Sequence, residues 1–348
     1  MKKSSKVLVI ATSHNTRGGI TSVIKAHQQG SQWKEFNCEW IETVKDGSPL
    51  VKIFYFIKGT IDFLFKLPTA DIIHVHSALG TSIKRKNFFI SIAKLFHKKV
   101  ILHFHAAESS ILNDSNRNHF YRKIFLKADK VIVLSESWKN LLIEKLKLDS
   151  NRIEILQNPA PLVQRANHRE PLVLFAGTVI PRKGYDTLIK AFSYIANMDI
   201  AKQWKLVIAG NGELDNARKL IAEYKLEDRV ILPGWVSGAE KDRLFNKSSI
   251  FCLPSQAEGF PMAILDAWAY GLPCIMTPVG GIPELVSPDT EGLIVPVDDA
   301  QELSKALLKL IESDNLRKSI VENTDKRINS DFNITRINDE LASIYKTC

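Results

Sequence analysis

The sequence is poor in cysteine and contains no long apolar run. Four cysteines are spread over 348 residues, without the density of a disulfide scaffold or the spacing of a metal site. The most apolar region, residues 53–67, is interrupted by Lys58, Asp62 and Lys66, whereas a transmembrane helix needs roughly 18 uninterrupted apolar residues. The early apolar run Val7–Ala11 is too short for a secretory leader and is typical of a buried strand. We therefore expect a cytoplasmic protein.

Two motifs that hold cofactors are also missing. The sequence has no Asp-x-Asp pair, which in other proteins often holds a divalent metal beside a diphosphate. It lacks the G-x-G-x-x-G fingerprint with a downstream acid, which argues against a nicotinamide-dependent dehydrogenase. The His-x-His pairs His74/His76 and His103/His105 have no matching carboxylate or thiol cluster. We expect no cofactor and no metal, so protein groups must neutralise the charge of any anionic ligand.

Charge is distributed unevenly along the chain. Residues 1–165 contain 26 Lys and Arg against 13 Asp and Glu, a net charge of +13, and the remaining residues contain 21 against 25, a net charge of −4. The first half is therefore expected to meet an anionic surface, and nucleic acid, phospholipid and a phosphorylated acceptor are all compatible with it.

Short β-branched runs alternate with amphipathic stretches along the chain, which predicts parallel sheets flanked by helices, an α/β fold. The rhythm pauses in a proline-bracketed stretch and restarts, indicating two similar domains. We predict an N-terminal domain of residues 1–163, a C-terminal domain of residues 164–330, and a helical segment, 331–348, that returns to the first domain. The predicted strands are 7–12, 71–76, 100–105, 131–135, 153–157, 172–176, 205–209, 230–232, 250–253, 274–276 and 293–295.

The segment 254–273 has the sharpest pattern. A strand ends at Ser255, Pro261 suits the first position of a helix, and Gly271 ends that helix. Ligands of open parallel sheets bind beyond the carboxyl ends of the strands. The free N–H groups and the dipole at this helix start, around residues 260–263, are therefore suited to a diphosphate.

Two acidic residues flank that helix start. Glu258 would be repelled by a phosphate unless it has partners of its own, so we expect it to accept hydrogen bonds from sugar hydroxyls. Asp266 lies roughly two turns further on a similar face and is placed to bind ribose hydroxyls. The alternatives are that Glu258 caps the helix and that Asp266 is a solvated helix residue.

Two further segments follow strand ends. Arg182 and Lys183 form a basic pair before a glycine and a helix, where cations are placed to neutralise a leaving diphosphate, although a solvated basic turn has the same composition. Gly18 and Gly19 follow the first strand and permit close approach of backbone to a ligand.

The four strand histidines fall into two positions. His76 and His105 lie nearer the carboxyl ends of their strands and are predicted to face a ligand. His74 and His103 are predicted to be core residues, because strand histidines are commonly semi-buried.

These residues resemble the retaining glycosyltransferases of family 4, which have the GT-B fold of two doubly wound Rossmann-like domains around a cleft. Residues 255–273 are similar to the family pattern S-x-x-E-G-F-G-x-x-x-L-E-A-M-A-x-G-x-P, and residues 280–284 resemble the G-G-x-x-E that follows it. The resemblance covers nearly the whole chain.

The resemblance implies a role for each matching residue. Glu258 matches the acid that contacts the donor sugar, and Lys183 matches the lysine that binds the diphosphate. His105 matches the histidine near the reacting face of the sugar. The other implied donor contacts are the backbone of Gly259, Phe260, Pro261 and Met262, the glycine loop of Gly18 and Gly19, and the base site from Gly234 to Val236. Asp266 replaces the family's second glutamate, Thr178 replaces an arginine, and Arg182 is expected to supply the lost charge.

The family implies metal-independent transfer of a hexose-type sugar, with retention, from a nucleotide-diphosphate sugar to a saccharide acceptor. We expect the acceptor to be lipid-linked, as in bacterial surface polysaccharide synthesis, and to dock on the basic first domain. Residues 53–66 and 84–99 are basic-hydrophobic stretches suited to an anionic membrane surface, unless their apolar residues form domain core.

Three other functions are compatible with parts of this pattern. A non-catalytic glycosyltransferase-like partner protein fits the changes at Thr178 and Asp266, and a GT-B-like epimerase would act on a sugar nucleotide without an acceptor. Nucleic-acid binding ranks last, because the acidic half of the chain carries the best site, and no nucleic-acid partner is expected.

Overall fold

The computed structural model describes residues 5–106, 112, 114–259 and 261–348. It divides the chain into two compact units. Unit 1 comprises the residues up to Pro159 together with Phe332–Cys348, and unit 2 comprises Ala160–Asp331. The boundaries predicted from the sequence lie after residues 163 and 330.

Unit 1 is a parallel sheet flanked by helices. Its strands are β1 (Val7–Ala11), β2 (Glu39–Glu42), β3 (Ile72–Ser77), β4 (Lys99–Phe104), β5 (Lys130–Val133) and β6 (Ile153–Ile155), and its helices along the chain are α1 (Gly19–His27), α2 (Ser31–Glu35), α3 (Pro49–Lys66), α4 (Thr81–Leu95), α5 (Ser115–Phe125) and α6 (Glu136–Leu146).

Unit 2 repeats this arrangement. Its strands are β7 (Leu172–Ala176), β8 (Lys205–Ala209), β9 (Val230–Gly234), β10 (Ile250–Leu253), β11 (Cys274–Met276) and β12 (Leu293–Ile294), and its helices are α7 (Tyr185–Ile195), α8 (Leu214–Glu223), α9 (Ala239–Lys247), α10 (Met262–Ala269), α11 (Ile282–Leu285), α12 (Ala300–Glu312) and α13 (Asp314–Ser330). The last helix of the chain, α14 (Ile334–Lys346), belongs to unit 1.

The strand orders confirm the predicted doubly wound fold class. The sheet of unit 1 runs β2-β1-β3-β4-β5-β6 and that of unit 2 runs β12-β11-β10-β7-β8-β9, with parallel pairing throughout both. In unit 2 the chain reverses direction across the sheet between β7 and β10. Ligands of such sheets bind beyond the carboxyl ends of the strands at this switch point.

Burial explains why the strands could be predicted. Every residue of β1 is buried, because helices cover both faces of a parallel sheet and its strands are apolar on both sides. Apolar side chains of unit 1 form two core clusters, and α14 contributes Ile337 and Leu341 to one of them. The strand β2 was missed, because its sequence Glu-Trp-Ile-Glu is short and begins and ends with charge.

The start of unit 2 is fixed by arginines that bind its helix ends. Arg165 Nε donates a hydrogen bond of 2.7 Å to the carbonyl of Ala269 in α10. Arg169 Nη1 donates one of 3.0 Å to the carbonyl of Phe245 in α9. These contacts attach the segment after Ala160 to unit 2.

Helix α3 buries little of its apolar surface. Within it the buried residues are Gly59 and Phe63, and a Cβ at Gly59 would lie 2.3 Å from the carbonyl oxygen of Glu42. The glycine therefore lets the helix backbone press against β2. The opposite face is an exposed apolar stripe of Leu50, Ile53, Phe54, Ile57, Ile61, Leu64 and Phe65. Within the described ranges, no helix combines the length and the hydropathy needed to cross a membrane.

Candidate active site

The loops after β7 and β10 meet at the switch point of unit 2. The ammonium of Lys183, after β7, lies 2.5 Å from Oε1 of Glu258, after β10. The hydroxyl of Ser255 donates a second hydrogen bond of 2.7 Å to the same oxygen. The side chains of Glu258 and Lys183 are 6% and 19% exposed, so the pair is largely withdrawn from water.

Glycines bring the two loops this close. Gly184 has a φ of +72°, and a Cβ there would lie 2.0 Å from the carbonyl oxygen of Pro254. A Cβ at Gly280 would lie 1.8 Å from the carbonyl oxygen of Glu258, and the N–H of Gly281 donates 2.8 Å to the carbonyl of Gly259. The backbone around Glu258 is therefore packed from two sides, and this packing fixes where its carboxylate points.

Arg182 contacts the neighbouring loop after β10. Its Nη1 donates a hydrogen bond of 2.8 Å to the carbonyl of Ala257, while its own carbonyl accepts from Gln256. The guanidinium thus supports the loop that carries Glu258. A direct contact of Arg182 with a diphosphate stays a prediction.

Helix α10 begins one residue later than predicted. Pro261 is the N-cap residue, with φ −74° and ψ 106°, and Met262 is the first helical residue. Proline at the cap supplies no side-chain acceptor, and among the described residues no side chain caps this helix, whose first turn contains no acid. The start of α10 is therefore a positive dipole end suited to an anion. Phe260, also predicted as a donor contact, lies outside the described residues.

Asp266 has a partner that the sequence did not reveal. Its Oδ2 lies 2.8 Å from the ammonium of Lys241 in α9. Burial raises the pKa of Asp266, and Lys241 opposes that rise. The carboxylate is therefore held toward α9 by an ion pair, and no spacing rule links positions on two different helices.

The predicted base site lies at the end of β9. Gly234 has a φ of +79° and accepts a hydrogen bond from the N–H of Gly210, and Val236 is buried. Val236 also lines a cavity of about 380 Å³. That cavity is lined by Leu172 and Lys205 at the amino ends of their strands, so we assign the candidate active site to the opposite, carboxyl edge.

In unit 1, the strand histidines form a stack. His76 Nδ1 and His105 Nε2 share a hydrogen bond of 3.0 Å, and His74 Nδ1 shares one of 2.7 Å with the hydroxyl of Tyr345 in α14. His74 and His103 are buried, as predicted for core residues, and so is His76, which was expected to face a ligand. Burial lowers the pKa of His105 to about 3, so its imidazole is neutral at physiological pH.

Three of these histidines are close enough to be considered for a metal ion. Nitrogens of His74, His76 and His103 lie within 4.8 Å of one another. His74 Nε2 and both nitrogens of His103 lack a hydrogen-bond partner among the described residues. The set contains no carboxylate or thiolate, so the charge of a divalent ion would stay uncompensated in a buried site. The absence of a metal requirement stays a prediction.

Gly18 and Gly19 lie at the start of α1. Gly18 has a φ of +135°, which favours glycine, and within the described part of the chain nothing lies within 4 Å of a Cβ built there. Gly19 is the first residue of α1, whose first turn contains no acid. The loop thus leaves backbone accessible beside β1.

Comparison with known families covers most of the chain. Residues 161–327 match the family described as glycosyl transferases group 1, and residues 43–163 match glycosyltransferase family 4. An uncharacterized glycosyltransferase of Methanocaldococcus jannaschii is 31% identical over 73% of this chain and 69% of its own length.

Two relatives from Escherichia coli are also similar. The glycosyltransferase WcaL of strain K12, assigned to colanic acid biosynthesis, is 29% identical over 66% of this chain, which spans 60% of the length of WcaL. UDP-Gal:α-D-GlcNAc-diphosphoundecaprenol α-1,3-galactosyltransferase is 25% identical over 88% of this chain and 81% of its own length.

Among solved structures, sucrose-phosphate synthase from Thermosynechococcus elongatus covers 99% of both chains with a TM-score of 0.81 at 19% identity. Anabaena HepE in complex with UDP covers 99% of this chain and 100% of its own, with a TM-score of 0.75 at 17% identity. At these identities the likeness shows the fold. From its motifs, its two parallel sheets and its relatives, the chain belongs to the group 1, family 4 glycosyltransferases with the GT-B fold.

Proposed function

We propose that the protein transfers a hexose-type sugar, with retention and without a metal, from a nucleotide-diphosphate sugar to a lipid-linked saccharide. The observation that carries this proposal is the contact of Lys183, Glu258 and Ser255 at the switch point of unit 2. It combines a cation for a diphosphate with a carboxylate for sugar hydroxyls.

The two charges have separate tasks when a donor binds. Lys183 and the start of α10 bind the diphosphate, and their positive charge stabilises the additional negative charge that develops as the anomeric C–O bond breaks. Glu258 accepts hydrogen bonds from the sugar. The acceptor oxygen bonds to the anomeric carbon on the face that the phosphate leaves, its proton passes to a phosphate oxygen, and nucleoside diphosphate departs. The donor roles of Gly18, Gly19 and His105 are proposed from the family resemblance.

We propose that the donor is a UDP-sugar, so that its base is uracil. The galactosyltransferase of E. coli is named for UDP-Gal, and HepE was solved with UDP. Asp266 is proposed to bind the ribose hydroxyls, with Lys241 holding its carboxylate.

The first experiment measures UDP affinity by calorimetry for wild type, Lys183→Ala and Lys190→Ala, an exposed lysine of α7 that serves as the control. Loss of a charge-assisted contact costs about 1.5–3 kcal/mol, so we expect UDP to bind roughly 10- to 150-fold more weakly to Lys183→Ala. Equal affinity of the three proteins would remove Lys183 from the donor site.

The second experiment measures transfer from UDP-galactose, UDP-glucose, GDP-mannose and ADP-glucose to GlcNAc-diphosphoundecaprenol, the acceptor in the name of the E. coli relative. We expect one donor class to give an α-linked product by NMR. UDP binding with neither transfer nor release of nucleotide would indicate a non-catalytic partner protein, and a β-linked product from an α-donor would contradict retention.

Helix α3 supports a membrane-surface location for the acceptor, and we propose the cytoplasmic face. Its exposed stripe follows helical spacing, with Phe54 63% and Phe65 84% exposed, and lysines accompany it at positions 52, 58 and 66. Exposed apolar side chains flanked by lysines suit an anionic bilayer surface. The four free cysteines agree with a reducing compartment.

Vesicle sedimentation tests this surface. From their exposure, burying Phe54 and Phe65 in lipid contributes about 2–4 kcal/mol together, so Phe54→Ser/Phe65→Ser should weaken binding to phosphatidylglycerol vesicles on the order of 100-fold. Met198→Ser/Ile200→Ser changes two exposed apolar residues of unit 2 and should have no effect. Equal sedimentation of both double variants, or no binding by wild type, would contradict the proposal.

A further inference from the structure

Besides the stacked histidines, unit 1 contains a polar cluster of Ser13, His14 and Glu42, to which the family resemblance assigns no role. Ser13 and His14 follow β1, and Glu42 is the last residue of β2. These strands pair in parallel, with Ala11 opposite Glu42. The cluster therefore lies at the carboxyl edge of the sheet, where ligands of open parallel sheets bind.

One carboxylate oxygen holds the cluster together. Glu42 Oε1 accepts hydrogen bonds from the hydroxyl of Ser13 at 2.6 Å, from the backbone N–H of His14 at 2.8 Å and from His14 Nδ1 at 2.9 Å. Burial alone would raise the pKa of Glu42, but these hydrogen bonds lower it to about 2. The carboxylate is therefore ionised at physiological pH.

The ionised carboxylate fixes the orientation of the imidazole. A carboxylate only accepts hydrogen bonds, so His14 Nδ1 must carry a proton and donate it. The ring of His14 also packs on Trp40, with centroids 3.9 Å apart, and the indole N–H of Trp40 is anchored to the carbonyl of Thr12 at 2.8 Å. The imidazole is thus held from two directions.

The remaining nitrogen, Nε2, has no partner among the described residues, and the side chain of His14 is 41% exposed. A neutral ring offers a lone pair there and a protonated ring offers an N–H. Either form can pair with a hydroxyl group, which both donates and accepts.

Glu42, which orients His14, lies beside the proposed membrane helix. Lys58 of α3 has its ammonium 3.8 Å from Glu42 Oε2, and Gly59 of α3 packs against the carbonyl of Glu42. His14 and the exposed stripe of α3 therefore belong to the same unit but lie on opposite sides of that helix, so the saccharide of an anchored lipid has to extend past α3 to reach His14.

We propose that His14, oriented by Glu42, binds a hydroxyl group of the saccharide acceptor. This inference rests on the proposed function, because it assigns the acceptor side of that reaction. His14 is a binding residue in this scheme, and Glu42 is a positioning residue that acts through it. The ligand class is a neutral sugar hydroxyl carried on a polyprenyl diphosphate.

The test compares His14→Ala, His14→Gln and His119→Ala in transfer from UDP-galactose to GlcNAc-diphosphoundecaprenol. His119 is an exposed histidine of the same unit and serves as the control. Loss of one hydrogen bond to a hydroxyl should raise the acceptor KM about threefold to tenfold in His14→Ala, with the donor KM and the UDP affinity unchanged. His14→Gln keeps an amide near the place of Nε2 and should recover part of the loss.

Glu42→Gln tests the positioning role. It should raise the acceptor KM in the same direction as His14→Ala, and it should add little in a His14→Ala background, because it acts through the imidazole. Thermal unfolding midpoints, measured for each variant, separate this effect from misfolding of the loop.

The outcomes separate the two levels of the proposal. An unchanged acceptor KM in His14→Ala, with active wild type, overturns the assignment of His14 and leaves the proposed function intact. Wild type that binds UDP but transfers no sugar to this acceptor overturns the acceptor class and the role of His14 together. A change in UDP affinity in His14→Ala overturns the assignment to the acceptor side.

Discussion

The ion pair at the switch point of unit 2 makes an unusual prediction for Glu258→Gln. In the structure, the ammonium of Lys183 forms an ion pair with the carboxylate of Glu258, with a distance of 2.5 Å between nitrogen and oxygen. A diphosphate has to share that ammonium with the carboxylate and also meets its negative charge. The change to Gln removes the charge and keeps an acceptor for the hydroxyl of Ser255. We therefore expect UDP to bind more tightly while sugar transfer becomes slower.

The magnitude follows from the burial of the pair. A hydrogen bond to a charged group contributes about 1.5–3 kcal/mol and is about twice as strong as one between neutral groups. Replacing the carboxylate by an amide thus lowers the cost of redirecting Lys183 by about 1 kcal/mol, which corresponds to roughly fivefold tighter binding of UDP. Loss of the charge-assisted hydrogen bonds to the sugar should slow transfer by about 10-fold or more.

Calorimetry with UDP and initial rates with a UDP-sugar measure the two effects separately. Glu291→Gln is the matched control, because Glu291 is also a mostly buried carboxylate of unit 2 and pairs with Arg327 at 2.8 Å, in a different part of the unit. Its UDP affinity should equal that of wild type. UDP affinity that is unchanged or weaker in Glu258→Gln would refute the competition between Glu258 and the diphosphate for Lys183.

The remaining predictions concern pH and metals. Burial lowers the pKa of His27 to about 4 and of His105 to about 3, against 6.5 for an ordinary histidine. As the pH falls, the unfolded chain therefore takes up these protons before the folded chain does. The contribution of the neutral histidines to the free energy of unfolding should be complete above pH 6.5. Below pH 6.5 the free energy of unfolding should decrease by about 1.4 kcal/mol per pH unit for each histidine, until the pKa of the folded state is reached. Urea unfolding at pH 7.5 and pH 5.0 measures this, and equal stability at both would contradict burial of neutral rings. Dialysis against EDTA should leave the transfer rate within about twofold, since Lys183 and the start of α10 supply the positive charge, and a loss restored by Zn²⁺ or Mg²⁺ would overturn metal independence.

Much of the fold followed from the sequence because parallel strands are apolar on both faces. The strands β7, β8, β10 and β11 have the predicted bounds. Elements that depend on distant partners were harder to place. The strand β2 is recognisable once its register with β1 is known, and the unit boundary depends on arginines whose partners lie far along the chain.

The candidate site divides in the same way. Glycines, the helix start and the acid at position 258 carry local signals, so this region could be proposed as a candidate site from the sequence. The pairing of Lys183 with Glu258 spans 75 positions, and the pairings of Asp266 with Lys241 and of His14 with Glu42 also join separate elements. No periodicity connects such positions, because the sheet order decides which strand ends become neighbours.

In helix α3, the position of one glycine shows which face of the helix packs on the sheet, which the periodicity of the sequence does not show. Apolar residues at helical spacing are equally compatible with a core helix and with a surface helix, and residues 53–66 fitted both. A helix turned with its apolar stripe toward the sheet would bring large side chains to the place where Gly59 now contacts β2, and even a Cβ there would lie 2.3 Å from a backbone oxygen. At the observed separation the helix can approach β2 only with its glycine, and the stripe on the other side is left exposed. The same close approach sets Lys58 beside Glu42, so the packing of Gly59 on β2 accounts both for the exposed stripe and for the cation next to the proposed acceptor-binding cluster.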